Sequence, residues 1–211
     1  MKKYDLIREG RLFRIIALKD FNGVKKGYFG GVVENRNNLG QQGNCWIHEN
    51  AKVTGNAKVR GDAEVTENAE VTENAKVYGN AKVTGNAKVR GDAEVTENAE
   101  VYRNAQVYGN AKVYGNAQVI DNAKVYGNAT VYSTAEVTGN AKATKEVITF
   151  GNIFDYDITI TDNHIKIGCQ QYLKSRWLEF TNKEILEMGG KRALKFWGLF
   201  KPFAINTGFF N

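Results

Sequence analysis

Residues 50–73 read NAKVTG NAKVRG DAEVTE NAEVTE, and the same six-residue unit continues to residue 145. The unit has the form Asn-Ala-x-Val-x-Gly, and its sixteen copies follow one another without an insertion or a deletion. The preceding segment, residues 44–49, fits the same frame with Cys45 in the Ala position and Ile47 in the Val position. Such an uninterrupted short period is typical of a solenoid.

Each unit predicts a short strand followed by a corner. Ala and Val lie two residues apart and point to the same side of an extended strand, while the polar residues beside them point outward. The Gly-Asn or Glu-Asn step that follows suits a sharp turn, since Gly and Asn tolerate a left-handed backbone. Stacked coils must then share one core, because a single strand cannot bury its apolar side alone. Opposite charges pair at offsets of both two and three hexads, so this pattern leaves the coil length open.

The pattern resembles the hexapeptide repeat of left-handed parallel β-helices, a family in which three hexads form one triangular coil. The resemblance implies a mainly β protein with a single-stranded left-handed parallel β-helix of about six coils over residues 44–145. Residues 1–43 are then expected to form an irregular N-terminal β cap. Residues 146–211 are expected to form a C-terminal cap made of strands followed by helices.

The C-terminal segment carries local signals for a hairpin and for helices. Isoleucines alternate with polar residues on both sides of a polar turn within residues 157–168, which predicts a β-hairpin. Thr181 and Glu184 have the spacing of a helix capping box, and Gly189-Gly190 predicts a break in that helix. Helical spacing continues up to Pro202. We expect the apolar face of these helices to cover the open end of the β-helix, because unpaired strand edges promote aggregation.

The flanks extend the resemblance over nearly the whole chain. Residues 17–53, ALKDFNGVKKGYFGGVVENRNNLGQQGNCWIHENAKV, resemble the opening of bacterial and prophage hexapeptide-repeat proteins that are often labelled transferases. Residues 158–171 and the helical segment around Trp177 resemble the tail of some of these proteins. The resemblance implies a phage-associated protein, with host defence machinery as a partner to test. The transferase label reflects the fold, and a fold does not establish an activity.

Charge and composition argue against several classes of protein. The net charge of +6 is concentrated in residues 1–43, whereas residues 44–145 carry twelve basic and twelve acidic residues. Nucleic-acid binding is therefore not predicted, because it usually requires a basic face. The sequence shows neither an apolar run of membrane-spanning length nor a secretory signal, so we predict a cytoplasmic protein without membrane contact. Two cysteines do not support a disulfide framework.

Few residues are candidates for chemistry. The resemblance to hexapeptide acyltransferases implies a His general base, and the chain has two histidines, His48 in the first hexad and His164 in the C-terminal turn. Because no loop interrupts residues 50–145, we predict no catalytic residue in that range and keep these two histidines, which lie outside it, only as candidates. No metal or cofactor is predicted, since two separated histidines do not make a three-His zinc site. Cys45 and Cys169 are expected to be buried as small apolar residues.

The tyrosines point to a contact surface. Five of them occupy outward positions in the second half of the repeat: Tyr102, Tyr108, Tyr114, Tyr126 and Tyr132. A coil of three hexads would stack the second on the fourth and the third on the fifth. Cross-strand aromatic stacking is one explanation for them. A binding surface is the other, because Tyr is enriched at protein interfaces.

The leading interpretation is a non-enzymatic scaffold or binding protein that contacts a host protein or associates with itself as a homo-oligomer. Residues 50–71 recur identically at 80–101, and this shift of five hexads would move duplicated residues to another face of a three-sided coil. Such a shift suits modular scaffolding better than a face-specific active site. Two alternatives stay open: a hexapeptide-class acyltransferase with an acyl-CoA donor and His48 or His164 as the base, and capture of a small ligand at an oligomer interface.

Overall fold

The computed structural model describes residues 2–153 and 156–210 of the chain. The N-terminal cap begins with an antiparallel hairpin, β1 (Tyr4–Glu9) and β2 (Leu12–Ala17). A third strand, β3 (Phe29–Val33), pairs antiparallel with β2. These three strands form one edge of a larger sheet whose remaining strands come from the repeat.

The repeat forms seventeen strands of two residues each, and each strand joins an outward residue to the inward residue that follows it. In chain order these strands are β4 (Trp46–Ile47), β5 (Lys52–Val53), β6 (Lys58–Val59), β7 (Glu64–Val65), β8 (Glu70–Val71), β9 (Lys76–Val77), β10 (Lys82–Val83), β11 (Lys88–Val89), β12 (Glu94–Val95), β13 (Glu100–Val101), β14 (Gln106–Val107), β15 (Lys112–Val113), β16 (Gln118–Val119), β17 (Lys124–Val125), β18 (Thr130–Val131), β19 (Glu136–Val137) and β20 (Lys142–Ala143).

These strands form the three faces of a parallel β-helix, in which every third strand belongs to the same face. Val83 in β10 aligns with Val65 in β7 and with Val101 in β13, so neighbouring strands on a face are three hexads apart. The coil therefore contains three hexads rather than two. The predicted fold class, a mainly β chain with a β-helix of about six coils, is confirmed.

The inward Ala and Val side chains fill the interior of the β-helix. From Ala51 to Val137, every residue at these two hexad positions is completely buried. Each strand is held to the next coil by backbone hydrogen bonds, as where Glu64 N–H donates to the Ala81 carbonyl at 3.0 Å. Burial of the apolar row and hydrogen bonding of both strand edges together explain how strands of only two residues persist.

The corners of the coils require a left-handed backbone. At the sixth hexad position Gly91 and Gly109 have a φ of +72°, which glycine adopts without steric cost. Six residues other than glycine adopt the same region with φ between 58° and 62°: Glu67, Glu73, Glu97, Arg103, Asp121 and Ser133. The preference of this position for Gly is thus a backbone requirement.

Asparagine ladders run along the corners. Asn68 Nδ2 donates to Asn86 Oδ1 at 3.2 Å, and Asn86 donates to Asn104 at 3.1 Å. The corresponding bond on another corner joins Asn80 Nδ2 to Asn98 Oδ1 at 2.9 Å. Identical amides at the same position of successive coils can each donate to one neighbour and accept from the other, which explains why Asn opens most hexads.

The parallel stacking also reaches back into the residues before the repeat. Val33 in β3 aligns in parallel with Val53, and Leu39 forms a parallel bridge with Val59. Between them lies a short 3-10 helix, Arg36–Asn38, and the buried Asn38 donates through Nδ2 to the Ala57 carbonyl at 2.8 Å. The N-terminal cap is therefore continuous with the first coil.

The C-terminal segment has its own sheet and helices. Its four antiparallel strands are β21 (Ile148–Ile153), β22 (Tyr156–Ile160), β23 (His164–Ile167) and β24 (Gln170–Leu173), and its helices are α1 (Lys174–Glu179) and α2 (Asn182–Asn206). The predicted hairpin is confirmed as β22 and β23, and the predicted capping box of Thr181 with Glu184 opens α2. Gly189-Gly190 kinks α2, which then continues through Pro202.

The predicted cap of strands and helices is present, but its sheet, rather than the apolar face of its helices, contacts the last coil. The buried faces of α1 and α2 pack with the sheet isoleucines, such as Ile158 and Ile165, in a second core separate from that of the β-helix. The opposite face of the sheet contacts the last coil through Thr159, Lys166 and Gln171, which are cross-strand neighbours.

These contacts to the last coil are polar. Thr159 Oγ1 accepts from the Glu136 N–H at 3.5 Å, Lys166 forms a salt bridge with the Glu136 carboxylate, and Gln171 Nε2 donates to the Thr138 carbonyl at 2.8 Å. The final coil presents backbone donors and acceptors that need partners, which an apolar helix face would not supply. A polar sheet face supplies them.

Candidate functional site

The first stacked tyrosine pair follows strands β14 and β17. The rings of Tyr108 and Tyr126 lie 5.0 Å apart, centre to centre, with an angle of 7° between their planes. The Arg90 guanidinium, in the same position one coil earlier, lies 4.9 Å from the centre of the Tyr108 ring. This ladder presents a cation and two parallel rings along one corner of the β-helix.

The second pair follows strands β15 and β18 on another face. Tyr114 and Tyr132 stack with their ring centres 5.7 Å apart and their planes at 18°. A hydrogen bond between the Tyr132 hydroxyl and the Glu146 carboxylate raises the pKa of this phenol. Both pairs are half-buried, since each ring covers part of its neighbour while the outer edges stay accessible.

Tyr102 lies on the third face, where it follows β13. Its backbone N–H donates to the Val119 carbonyl at 3.0 Å, which places it beside Ile120 of the next coil. Partial burial raises the pKa of Tyr102. Because one coil carries the tyrosines at 102, 108 and 114 and the next carries those at 126 and 132, the five side chains surround the β-helix. We call them the tyrosine belt.

His48 lies at the other end of the β-helix, directly after β4. It is half-buried, and desolvation lowers its pKa, although the nearby carboxylates of Glu64 and Glu49 act in the opposite direction. Its backbone N–H donates to the Val65 carbonyl at 2.8 Å.

His164 opens β23, beyond the last coil. Its side chain is half-buried, desolvation lowers its pKa, and its Nδ1 has no hydrogen-bond partner among the described residues. The structure therefore places His48 and His164 at opposite ends of the β-helix and does not bring them into one site. Within residues 2–153 and 156–210, no group of three or more His, Cys, Asp or Glu residues is placed to hold a metal ion.

Comparison with known proteins agrees with this architecture. A model of the YdcK β-solenoid repeat matches residues 105–121. The repeat is a β-solenoid. An "uncharacterized acetyltransferase YdcK" of Escherichia coli (strain K12) is 38% identical over 63 residues, which cover 23% of this chain and 19% of that protein. The chain thus spans about a fifth of the length of the curated relative that it matches, and the resemblance to hexapeptide-repeat β-helices is supported.

The two cysteines of this β-solenoid protein have different environments. Cys45 is completely buried in the Ala position, as predicted. Cys169 is exposed, so the prediction that it is buried is wrong. It lies in the turn between β23 and β24, where Gly168 adopts a φ of +56°. A turn at this point ends the inside-outside alternation on which the prediction depended.

Two features near the ends of the solenoid were not predicted. Trp46 occupies an outward strand position but is buried, because Tyr4 and Phe21 of the N-terminal cap pack edge-on against its ring. In the C-terminal segment a small apolar cavity of about 70 Å³ lies between the sheet and α2, with Trp177 and Trp197 among its lining residues. Both features join residues that are far apart in the chain, and local pattern carries no signal for such pairs.

No helix among the described residues combines the length and the apolar character needed to cross a membrane. The C-terminal helix α2 has 25 residues, but it is interrupted by its kink and carries several lysines.

Proposed function

We propose that this protein is a non-enzymatic β-helical scaffold whose tyrosine belt contacts a protein partner or a second copy of the chain. The stacked arrangement of Tyr108 on Tyr126 and of Tyr114 on Tyr132 is the observation that carries the proposal. Stacking holds the rings in place before binding, so little side-chain entropy is lost when a partner covers them. Tyrosine also offers a hydroxyl at the edge of an apolar surface, which suits protein interfaces.

The backbone beneath the belt makes it a rigid platform. Tyr108 N–H donates to the Val125 carbonyl and Tyr126 N–H donates to the Ala143 carbonyl, at 3.0 and 2.9 Å. Each ring is thus attached to a strand that is hydrogen-bonded to the adjacent coil. A surface of this kind can recognise a partner by shape with little rearrangement.

Charge favours a protein over a nucleic acid as the partner. Residues 44–145 carry equal numbers of basic and acidic residues, and neighbouring coils pair them, as Lys76 with Glu94 at 2.7 Å and Arg103 with Asp121. Such a surface has no basic stripe to follow a phosphate backbone. The resemblance to prophage proteins makes a host protein, including a component of a defence system, one form of the partner. Self-association is the other.

The experiment is a double substitution, Tyr108→Ser with Tyr126→Ser, compared with the single substitution Tyr78→Ser as the matched control. Tyr78 occupies an outward position in the first half of the repeat, outside the belt. Native mass and sedimentation velocity report self-association, and pull-down from a host lysate reports partners. We expect the double variant to lose assembly or a captured partner that the control retains, with circular dichroism unchanged. Unchanged assembly and unchanged partners in this variant and in Tyr114→Ser/Tyr132→Ser would contradict the proposal.

A second candidate is a hexapeptide-class acyltransferase that uses an acyl-CoA donor. It is supported by the partial match to a relative whose name includes acetyltransferase. The separation of His48 from His164 means that only one of them could serve as the base. Release of free coenzyme A from acetyl-CoA in the presence of amine and hydroxyl acceptors would support it if His48→Ala or His164→Ala abolished the release. The scaffold proposal expects no turnover in any of the three proteins.

A further inference from the structure

A lysine is buried against the first coil. Lys3 precedes β1, and its residue is 1% exposed. Its Nζ donates to the carbonyl of Cys45 at 2.9 Å and to that of Gly43 at 3.1 Å. Within the described residues it forms no salt bridge, so backbone carbonyls and a thiol take the place that a carboxylate usually has around a buried ammonium.

The thiol beside this lysine departs from the repeat. Cys45 Sγ lies 3.3 Å from Lys3 Nζ, and Cys45 is completely buried. All sixteen hexads from residue 50 onward carry Ala at this position, whereas the hexad that receives the lysine carries Cys. An Ala side chain at this position could not accept a hydrogen bond. Cysteine thus replaces Ala in the one hexad, residues 44–49, whose inward side chain is contacted by the Lys3 amine.

The environment favours reaction between the two groups. Peroxides oxidise cysteine to a sulfenic acid, and an amine nitrogen 3.3 Å from the sulfur is close enough to attack it. Burial lowers the pKa of Lys3, and this makes its uncharged, nucleophilic amine more accessible. The Cys45 thiol also lies 3.7 Å from the Gly40 carbonyl, so it is held on the side of the coil that faces the lysine.

We propose that Lys3 and Cys45 form an oxidative modification site, at which a hydroperoxide converts the pair into a covalent lysine–cysteine sulfenamide. In the first step the Cys45 thiol reduces the peroxide, R–SH + R′OOH → R–SOH + R′OH, and two electrons pass from sulfur to the O–O bond. In the second step the Lys3 amine attacks the sulfenic sulfur, R–SOH + R″NH₂ → R–S–NHR″ + H₂O. One S–N bond forms, the S–O bond breaks, and the hydroxyl leaves as water with an amine proton.

The cross-link would attach the start of the N-terminal cap to the first coil. Its two ends are 42 residues apart, and it encloses the hairpin of β1 and β2. A bond that closes a loop of this length restricts the unfolded chain, and we expect the oxidised protein to unfold at a temperature higher by on the order of 10 °C. A thiol reductant cleaves the S–N bond again, so the cross-link is reversible.

The test uses the full chain with Cys169→Ser, which removes the exposed thiol. The protein is treated with hydrogen peroxide, digested without reductant and analysed by mass spectrometry, and a portion is first treated with dithiothreitol. We expect a linked pair of peptides containing Lys3 and Cys45, two hydrogen masses lighter than their sum, which dithiothreitol releases. The same treatment of Lys3→Arg should give an oxygen adduct on Cys45 without a link, because a guanidinium is a poor nucleophile. Circular dichroism checks that this variant is folded.

Two outcomes would overturn the proposal without relying on any lysine variant. One is a Cys45 that carries only added oxygen in the protein with an intact Lys3. The other is a Cys45 thiol that stays unmodified while the protein remains folded in peroxide. The proposal is independent of the tyrosine belt, so either outcome leaves the proposed scaffold function in place.

Discussion

Replacing Val95 by Ala tests the assignment of inward and outward positions at the middle of the β-helix. Val95 is completely buried in β12, and it aligns with Val77 on one side and with Val113 on the other. The substitution removes two methyl groups from this column. Each contributes about 0.8 kcal/mol of transfer free energy, so their loss costs about 1.6 kcal/mol before the cavity is counted.

The cavity left by this substitution should not collapse. Tyr78 N–H donates to the Val95 carbonyl at 3.0 Å, and Thr96 N–H donates to the Val113 carbonyl at 2.9 Å. These bonds fix the spacing of the coils on both sides, and the neighbouring inward positions hold only Ala and Val. A total loss of about 2–3 kcal/mol in the free energy of unfolding is therefore expected.

The measurement is guanidinium denaturation followed by circular dichroism, with Thr96→Ala as the matched control. Thr96 is the next residue along the chain but points outward and is half-buried, so its substitution should cost about 0.5 kcal/mol. Equal slopes of free energy against denaturant in all three proteins would show that the same transition is compared. Equal losses for Val95→Ala and Thr96→Ala would refute the assignment of these two positions.

Three further predictions follow from the corners, the C-terminal sheet and the histidines. Gly91→Ala should lower the free energy of unfolding by about 1–3 kcal/mol in the same denaturation assay. The φ of residue 91 is +72°, and its new Cβ would lie 2.8 Å from the backbone nitrogen of Gly109 in the next coil. An unchanged free energy of unfolding would show that this corner relaxes freely. Lys166→Met should leave the Glu136 carboxylate without its salt bridge and speed limited proteolysis of residues 146–211. Equal cleavage rates in the variant and the unchanged protein would show that the polar contacts do not hold the sheet to the coil. Burial lowers the pKa of His48 and of His164 below their ordinary value of 6.5, so the folded state favours the neutral rings, and the stability present above pH 6.5 should fall as the pH drops toward 5. Replacing both histidines by Asn should reduce the fall in unfolding temperature between pH 7 and pH 5, and an unchanged fall would contradict this assignment.

The sequence predicts the β-helix well because the pattern of each hexad is sufficient to define its strand and its corner. Ala and Val two residues apart define the buried side, and the Gly or Asn steps define the corners, so position within the hexad is enough. Charge alternation does not choose between coils of two and three hexads, because opposite charges pair at both offsets. The register of Val65 with Val83 decides between them.

The ends of the protein are harder to predict because their contacts join distant residues. Trp46 stands in an outward position, but Tyr4 and Phe21, which are distant in the chain, pack against its ring and it is buried. Lys3 has no local pattern that would indicate burial at all. In the C-terminal sheet, by contrast, a usable signal is present. Thr159 lies between two isoleucines in the sequence. This alternation indicates a sheet with one apolar face, on which helices can pack, and one polar face, which can contact the last coil.

The stacking of the tyrosines could be predicted from the sequence, because it depends only on the position within the hexad and on the length of the coil. Positions 108 and 126 lie three hexads apart in the outward slot, so their stacking follows from the coil length, and so does that of positions 114 and 132. Arg90, whose guanidinium lies over the Tyr108 ring, occupies the same hexad position one coil before Tyr108. What binds the belt depends on shapes and charges of another molecule, which the repeat does not encode.

The most direct test of the account is a disulfide trap for the coil of three hexads. In a background with Cys45→Ala and Cys169→Ser, cysteines replace Thr66 and Thr84, whose Oγ1 atoms lie 2.6 Å apart on neighbouring coils. The control pair replaces Thr72 and Thr84, which are two hexads apart and follow strands of different faces. A coil of three hexads predicts an intramolecular disulfide in the first protein on mild oxidation and free thiols in the second. A disulfide between positions 72 and 84, with free thiols at 66 and 84, would contradict it.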